Sequence, residues 1–189
     1  MGVRQQRKMM PWPSHLNLRV NEPFDPADVT EIEQSIGVKL PEQFLTFVKE
    51  TNGGGYVDDL LAECLVPTPF GKSNIVEIGG LPGVIRLLDS DVTPRNMICI
   101  GHGHFGMTTC LSIAGIDHGC VYALDTEMRY FWTNERISKY PSLAPSIKEF
   151  FKMRDNDELP ERPWGYENCY LIAEDFDEYL SKLHPASEC

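Results

Sequence analysis

"VTEIEQSIGVKLPEQFLTFVKETNGGG", from Val29 to Gly55, is the stretch on which the reading of the fold turns. Just upstream, Asp25 stands where a side chain can accept from the first turn of a helix, and Pro26 suits the first helical position, where its missing N–H costs nothing. Val29, Ile32 and Ile36 then recur on one face, and Gly37 supplies a stop. After a short extended link, Pro41 fits the first turn of a second helix. Phe44, Leu45 and Val48, with Phe47, form its apolar stripe before Asn52-Gly53-Gly54-Gly55 ends it. The stretch predicts a helical hairpin whose two stripes need a further layer to cover them.

That layer is expected to be a sheet. From Tyr56 to Glu127 the apolar runs become short, β-branched and punctuated by Gly and Pro, and "CLVP", "IVEIG", "VIRLL", "MICIG", "TTCLSIA" and "CVYALD" read as strands. No gap between them is long enough for a crossover helix, so an antiparallel meander is expected. Beyond it, "SLAPSIKEFFKM" is helical, with Leu143, Ile147, Phe150 and Phe151 on one side, and "RDNDELPERPWG" is a polar loop. "NCYLIA" is a strand leading into "EDFDEYLSKLH", a helix that repeats Phe176, Tyr179, Leu180 and Leu183 at helical spacing. Residues 1–24, with Pro11, Pro13 and Pro23, show no periodicity and read as an N-terminal arm. The expected class is α+β: a mainly antiparallel sheet flanked by helices, with an N-terminal helical pair and a C-terminal helix, in a single domain over residues 25–189.

Composition bounds the function. The chain has 189 residues, enough for one good core, and 42% hydrophobic content marks a folded globule. No run approaches the roughly 18 apolar residues of a membrane span, and the start around Arg4, Arg7 and Lys8 lacks a signal-peptide apolar region, so a cytoplasmic protein without a membrane partner is expected. The net charge is −11, and residues 155–189 hold ten acids against Arg162 and Lys182, a local balance of −8. Such a surface repels nucleic acid and can steer a basic partner.

The chemical motifs fail one by one. Gly101, Gly103 and Gly106 in "ICIGHGHFGMTTC" make a G-x-G-x-x-G, but the residues after Gly106 read as a strand, not the helix that would hold a pyrophosphate. "VPTPFGKS" lacks the first glycine of a phosphate loop, and its prolines remove amides. Asp89-Ser90-Asp91 begins like a calcium loop, yet Pro94 and Ile100 stand where glycine and glutamate belong. Cys99, His102, His104, Cys110, His118 and Cys120 are plausible zinc ligands by type; their spacing lacks a tight knuckle, and burial or turn roles are the default. There is no G-x-S-x-G. No catalytic residue, metal or cofactor is assigned.

With those residues in view, the opening stretch resembles the SMI1/KNR4 family, also called the SUKH superfamily, through Glu33, Ile36, Gly37, Leu40, Pro41, Phe44, Asn52, Gly53 and Gly54. "GHGHFGMTTCLSIAGIDHGCVYALDTE" is similar to the family's middle section and "YLIAEDFDEYLSKL" to its closing strand and helix. Glu33, Gly37, Leu40, Pro41, Asn52, Gly53 and Gly54 are then architectural. The departures are His102 and His104 at the middle turn, the arm, and an insertion at about 128–167 with its own helix. The resemblance implies an α+β fold without catalytic residues. It further implies an immunity protein that neutralises a cognate toxin, such as a nuclease, by covering its working surface; the alternatives are a regulatory scaffold and, behind it, a Cys/His metal-site protein. The acidity implies a basic toxin domain. The expected contacts are Asp58, Asp59, His102, His104, Asp155, Asp157, Glu158, Glu161, Glu174, Asp175 and Glu178.

Overall fold

Asp25 opens the first helix as its position suggests. In the computed structural model its side chain accepts from Ala27 N at 2.8 Å, and α1 (Pro26–Ile36) closes at Gly37, whose φ of 73° only glycine adopts freely. Ile32 is fully buried, with Val29 and Ile36 packed beside it. The second helix, α2 (Glu42–Thr51), starts one residue later than expected, with Pro41 in the cap position. Phe44, Phe47 and Val48 face inward, and Leu45 is half-buried. Glu33 braces the link between the helices: it accepts from Leu40 N at 3.2 Å and pairs with Lys39.

The structure describes residues 16, 18–19, 23–66, 68, 72–90, 93–104, 106–126, 138–139, 142–158, 166 and 168–186, with backbone alone at 56–58 and 72–76. After α2 come β1 (Gly54–Glu63), β2 (Lys72–Ile78), α3 (Leu81–Leu87), β3 (Met97–His102), β4 (Met107–Ser112) and β5 (Val121–Asp125). The chain continues through α4 (Pro145–Asp155), β6 (Cys169–Ala173), α5 (Phe176–Lys182) and the two-residue β7 (His184–Pro185). The strands form one antiparallel sheet in the order β6-β5-β4-β3-β2-β1-β7, so β1 to β6 run as the expected meander.

Two expected strands are corrected. "VIRLL" belongs to α3: Pro82 sits in its first turn and Leu81 and Val84 are buried one helical turn apart, a pattern that a five-residue apolar window does not separate from a strand. "CLVP" follows β1, and the strand is the preceding "GGYVDDLLAE".

The sheet is covered on both faces. Tyr122 and Ala123 are neighbours in β5 and point to opposite sides. On Tyr122's side lies α4, whose Phe150 packs against Tyr122 with ring centroids 6.1 Å apart and edge-on to Tyr166 at 4.7 Å. On the other side lies α5: the Tyr179 hydroxyl lies near Thr109, which sits opposite Ala123, and Phe176 meets Phe44 and Phe47 at 5.3 and 5.4 Å. All five residues of β5 and of β6 are buried as a result. The sheet curls around α5, which touches both β6 and β1, and Leu65, just past β1, donates to Leu171 O in β6 at 2.6 Å. On the outer side of β1, Arg19 N donates to Gly55 O at 2.8 Å, and Leu16 is buried in the core, so part of the expected arm lies along the sheet.

Candidate functional site

The residues expected to face a partner fall in three places. The first is the turn from β3 to β4. It is closed by Gly103 N donating to Met107 O at 2.9 Å and Met107 N to His104 O at 3.1 Å, with Gly106 at φ 74°. His102, half-buried, lies opposite Glu77 of β2 and Thr108 of β4. His104 folds back over β2 to Asp59 of β1, with Nε2 3.4 Å from Oδ2 and the two side chains 51% and 53% exposed. Sequence separation hides this meeting of two expected contact residues. The side chain of the neighbouring Asp58 lies outside the described residues.

The second place is the start of α5, where acids serve the fold. Asp175 caps the helix by accepting from Glu178 N at 2.8 Å. Glu178 accepts from Glu174 N at 2.7 Å and pairs with Lys182 at 2.6 Å. Glu174 accepts from Ala144 N at 2.9 Å, tying the residue before α4 to the segment that leads into α5. All three are half-buried, whereas Asp177 points outward.

The third is the end of α4. Asp155 accepts from Arg154 at 3.1 Å, and Arg154, its side chain only 5% exposed, also donates to Tyr166 O at 3.3 Å and lies 4.8 Å over the Phe151 ring. Burial pulls the Arg154 guanidinium below its ordinary value, and Asp155 works against that pull. Asp157, in the left-handed region at φ 59°, and Glu158 are exposed. Glu161 lies outside the described residues.

Among the described residues, the cysteines and remaining histidines do not converge on a reactive centre. Cys99 and Cys110 face each other across β3 and β4; burial pushes the Cys99 thiol up to about 11 and the Cys110 thiol well up. Both are therefore neutral thiols near pH 7, poor as nucleophiles or metal ligands. Cys120 is buried against Glu174 O, while His118 is exposed on the β4–β5 turn. Among the described residues, no three His, Cys, Asp or Glu side chains are grouped to hold a metal ion, and no helix is long and apolar enough to cross a membrane.

Sequence reasoning missed one feature. A cavity of about 370 Å³ opens between the last turn of α1 and the link from α3 to β3, lined in part by Asp89, Ser90, Thr93 and Arg95. Its signal in the sequence was the polar cluster after α3, seen only as a failed calcium loop.

Comparison with known proteins places these features in a family context. The model of the SMI1 / KNR4 family (SUKH-1) matches residues 23–153, a span running from the cap of α1 into α4. No curated protein matches the chain.

Proposed function

This chain belongs to the SMI1/KNR4 family (SUKH-1), and from that premise we propose that it is a cytoplasmic immunity protein that binds a basic toxin domain and covers its active or substrate-binding surface. The membership itself makes the chain a non-catalytic interaction domain. Neutralisation by occlusion requires a complementary surface and no reactive group, which agrees with neutral, buried thiols and acids engaged at helix ends.

The observation that carries the reading is the net charge of −11. Charge of that size raises encounter rates with an oppositely charged partner and disfavours nucleic acid as the ligand. The surface acids offered to such a partner are Asp59, Asp157, Glu158 and Asp177, whereas Glu174, Asp175 and Glu178 hold helix ends together. His102 and His104 give the β3–β4 turn a side-chain pattern of its own, suited to partner specificity.

Co-expression tests the reading. A toxin encoded beside this chain kills a host that lacks it and spares one that makes it, and the two proteins co-purify. Absence of both protection and a complex would sink the proposal; recovery of signalling or cell-wall proteins instead, with no toxin gene nearby, would assign the regulatory role. Raising salt should slow association more than it speeds dissociation.

A further inference from the structure

We propose that the cavity between α1 and the α3–β3 link is a socket for a lysine or arginine residue of the partner. The inference rests on the reading of this chain as a binder of a basic protein and names one contact within it.

Where the ends of α1 and α3 meet the exposed Asp89, the lining favours a cation. Ser35 and Ile36 bring in the last turn of α1, which has no basic residue to offset its carbonyls, and Leu88 and Asp89 follow directly on the end of α3. Two helix C-termini and a carboxylate thus face one space. Among the described residues, nothing hydrogen-bonds or ion-pairs with the side chains of Asp89, Ser90, Thr93 or Arg95, in contrast to the acids of α5.

The walls specify what kind of cation. Ile36, Leu88, Pro94 and Met97 add apolar surface to the lining, which a metal ion with its demand for surrounding oxygens would waste and an aliphatic stem would cover. Arg95 lines the same cavity without pairing to Asp89, so the ligand also carries an acceptor. A lysine or arginine residue in a peptide chain has all three parts: a cationic tip for Asp89, a hydrocarbon stem for the apolar wall, and a backbone carbonyl for Arg95. The volume of about 370 Å³ admits one such side chain, at the small end of the roughly 300–1,000 Å³ of ligand pockets.

Titration of the full, isotopically labelled chain with N-acetyl-lysine amide and N-acetyl-arginine amide, followed by amide NMR shifts, tests the socket. The expected result is saturable shifts centred on Ser35, Leu88 to Ser90 and Arg95, at least fivefold weaker binding of the uncharged N-acetyl-norleucine amide, and at least tenfold weaker binding of the charged probes to Asp89→Asn. Should Asp89→Asn lower the melting temperature, Ser35→Lys, at an exposed helical position, supplies a built-in cation and should block the probes equally. Equal response to the norleucine probe, no saturable shift, or indifference to both variants overturns the proposal. Free arginine binding tenfold tighter than its acetyl amide would also overturn it, assigning the cavity to a free amino acid. The toxin assay is read separately: probe binding without protection keeps the socket and sinks the toxin reading. Full protection by a variant that no longer binds the probes sinks the socket as a partner contact and leaves the toxin reading intact.

Discussion

Two glycine-containing turns, Asn52-Gly53-Gly54 after α2 and Gly103 to Gly106 before β4, have similar compositions and opposite characters. At the first, every group faces inward. Asn52, left-handed at φ 46°, accepts from Leu81 N at 3.1 Å and donates to Pro23 O at 3.2 Å, tying α2 to the start of α3 and to the segment before α1. A Cβ on Gly53 would stand 2.2 Å from Gly80 N. At the second turn Gly106 is exposed at φ 74°, and the nearby His104 meets Asp59 in a contact half open to water. Both turns use glycine for its handedness, and the first also requires its lack of volume. The first can change only with the fold, while the second can vary without disturbing it.

Substitutions break or sharpen that contrast in a graded order. Gly53→Ala should cost most, at least about 3 kcal/mol, because backbone must move away from the new methyl and φ stays positive; urea unfolding measures it, and a loss below about 1 kcal/mol would mean the corner is not closed. Asn52→Ala strands Leu81 N and Pro23 O and should cost about 1–3 kcal/mol in the same assay. Gly106→Ala should cost about 1–2 kcal/mol, through φ alone, with Gly106→Asn recovering much of the loss; equal costs for Ala and Asn would point to a steric role like that of Gly53. His104→Ala should shift stability by no more than about 0.5 kcal/mol, since a half-exposed pair is weak. That last variant, on its own or with His102→Ala, belongs in a partner-binding assay; a large drop in melting temperature would move the turn into the first class.

The same contrast explains what could be read in advance. The two N-terminal helices were legible because cap, proline, apolar spacing and stop all agreed within one local window. β1 was not, since its first glycines equally suit the end of α2, and α3 reads as a strand because its apolar run is too short to show a period. The acids divide along similar lines. Asp175 and Asp177 are two residues apart on one helix, yet one caps and the other faces water. Glu174 accepts from Ala144 and His104 reaches Asp59 across long stretches of chain, so their roles depend on tertiary proximity that no periodicity encodes. The cavity between α1 and the α3–β3 link was invisible for the same reason: its walls come from three segments.

The curl of the sheet carries a consequence for recognition. A protein can capture another by lending it a row of vacant backbone groups, so that the guest becomes one more strand. Here the outer side of β1 is met in turn by Arg19, the two residues of β7 and, past its end, the Leu65 bond to Leu171, while Lys182 occupies the Ile172 carbonyl in β6 at 2.8 Å. The borders of the sheet are largely taken by the chain itself, leaving little room for a foreign strand and little invitation to self-assembly. On the proposed reading a guest is then identified by side chains, whose identities can change one at a time, so that specificity can drift while the backbone that presents it stays fixed.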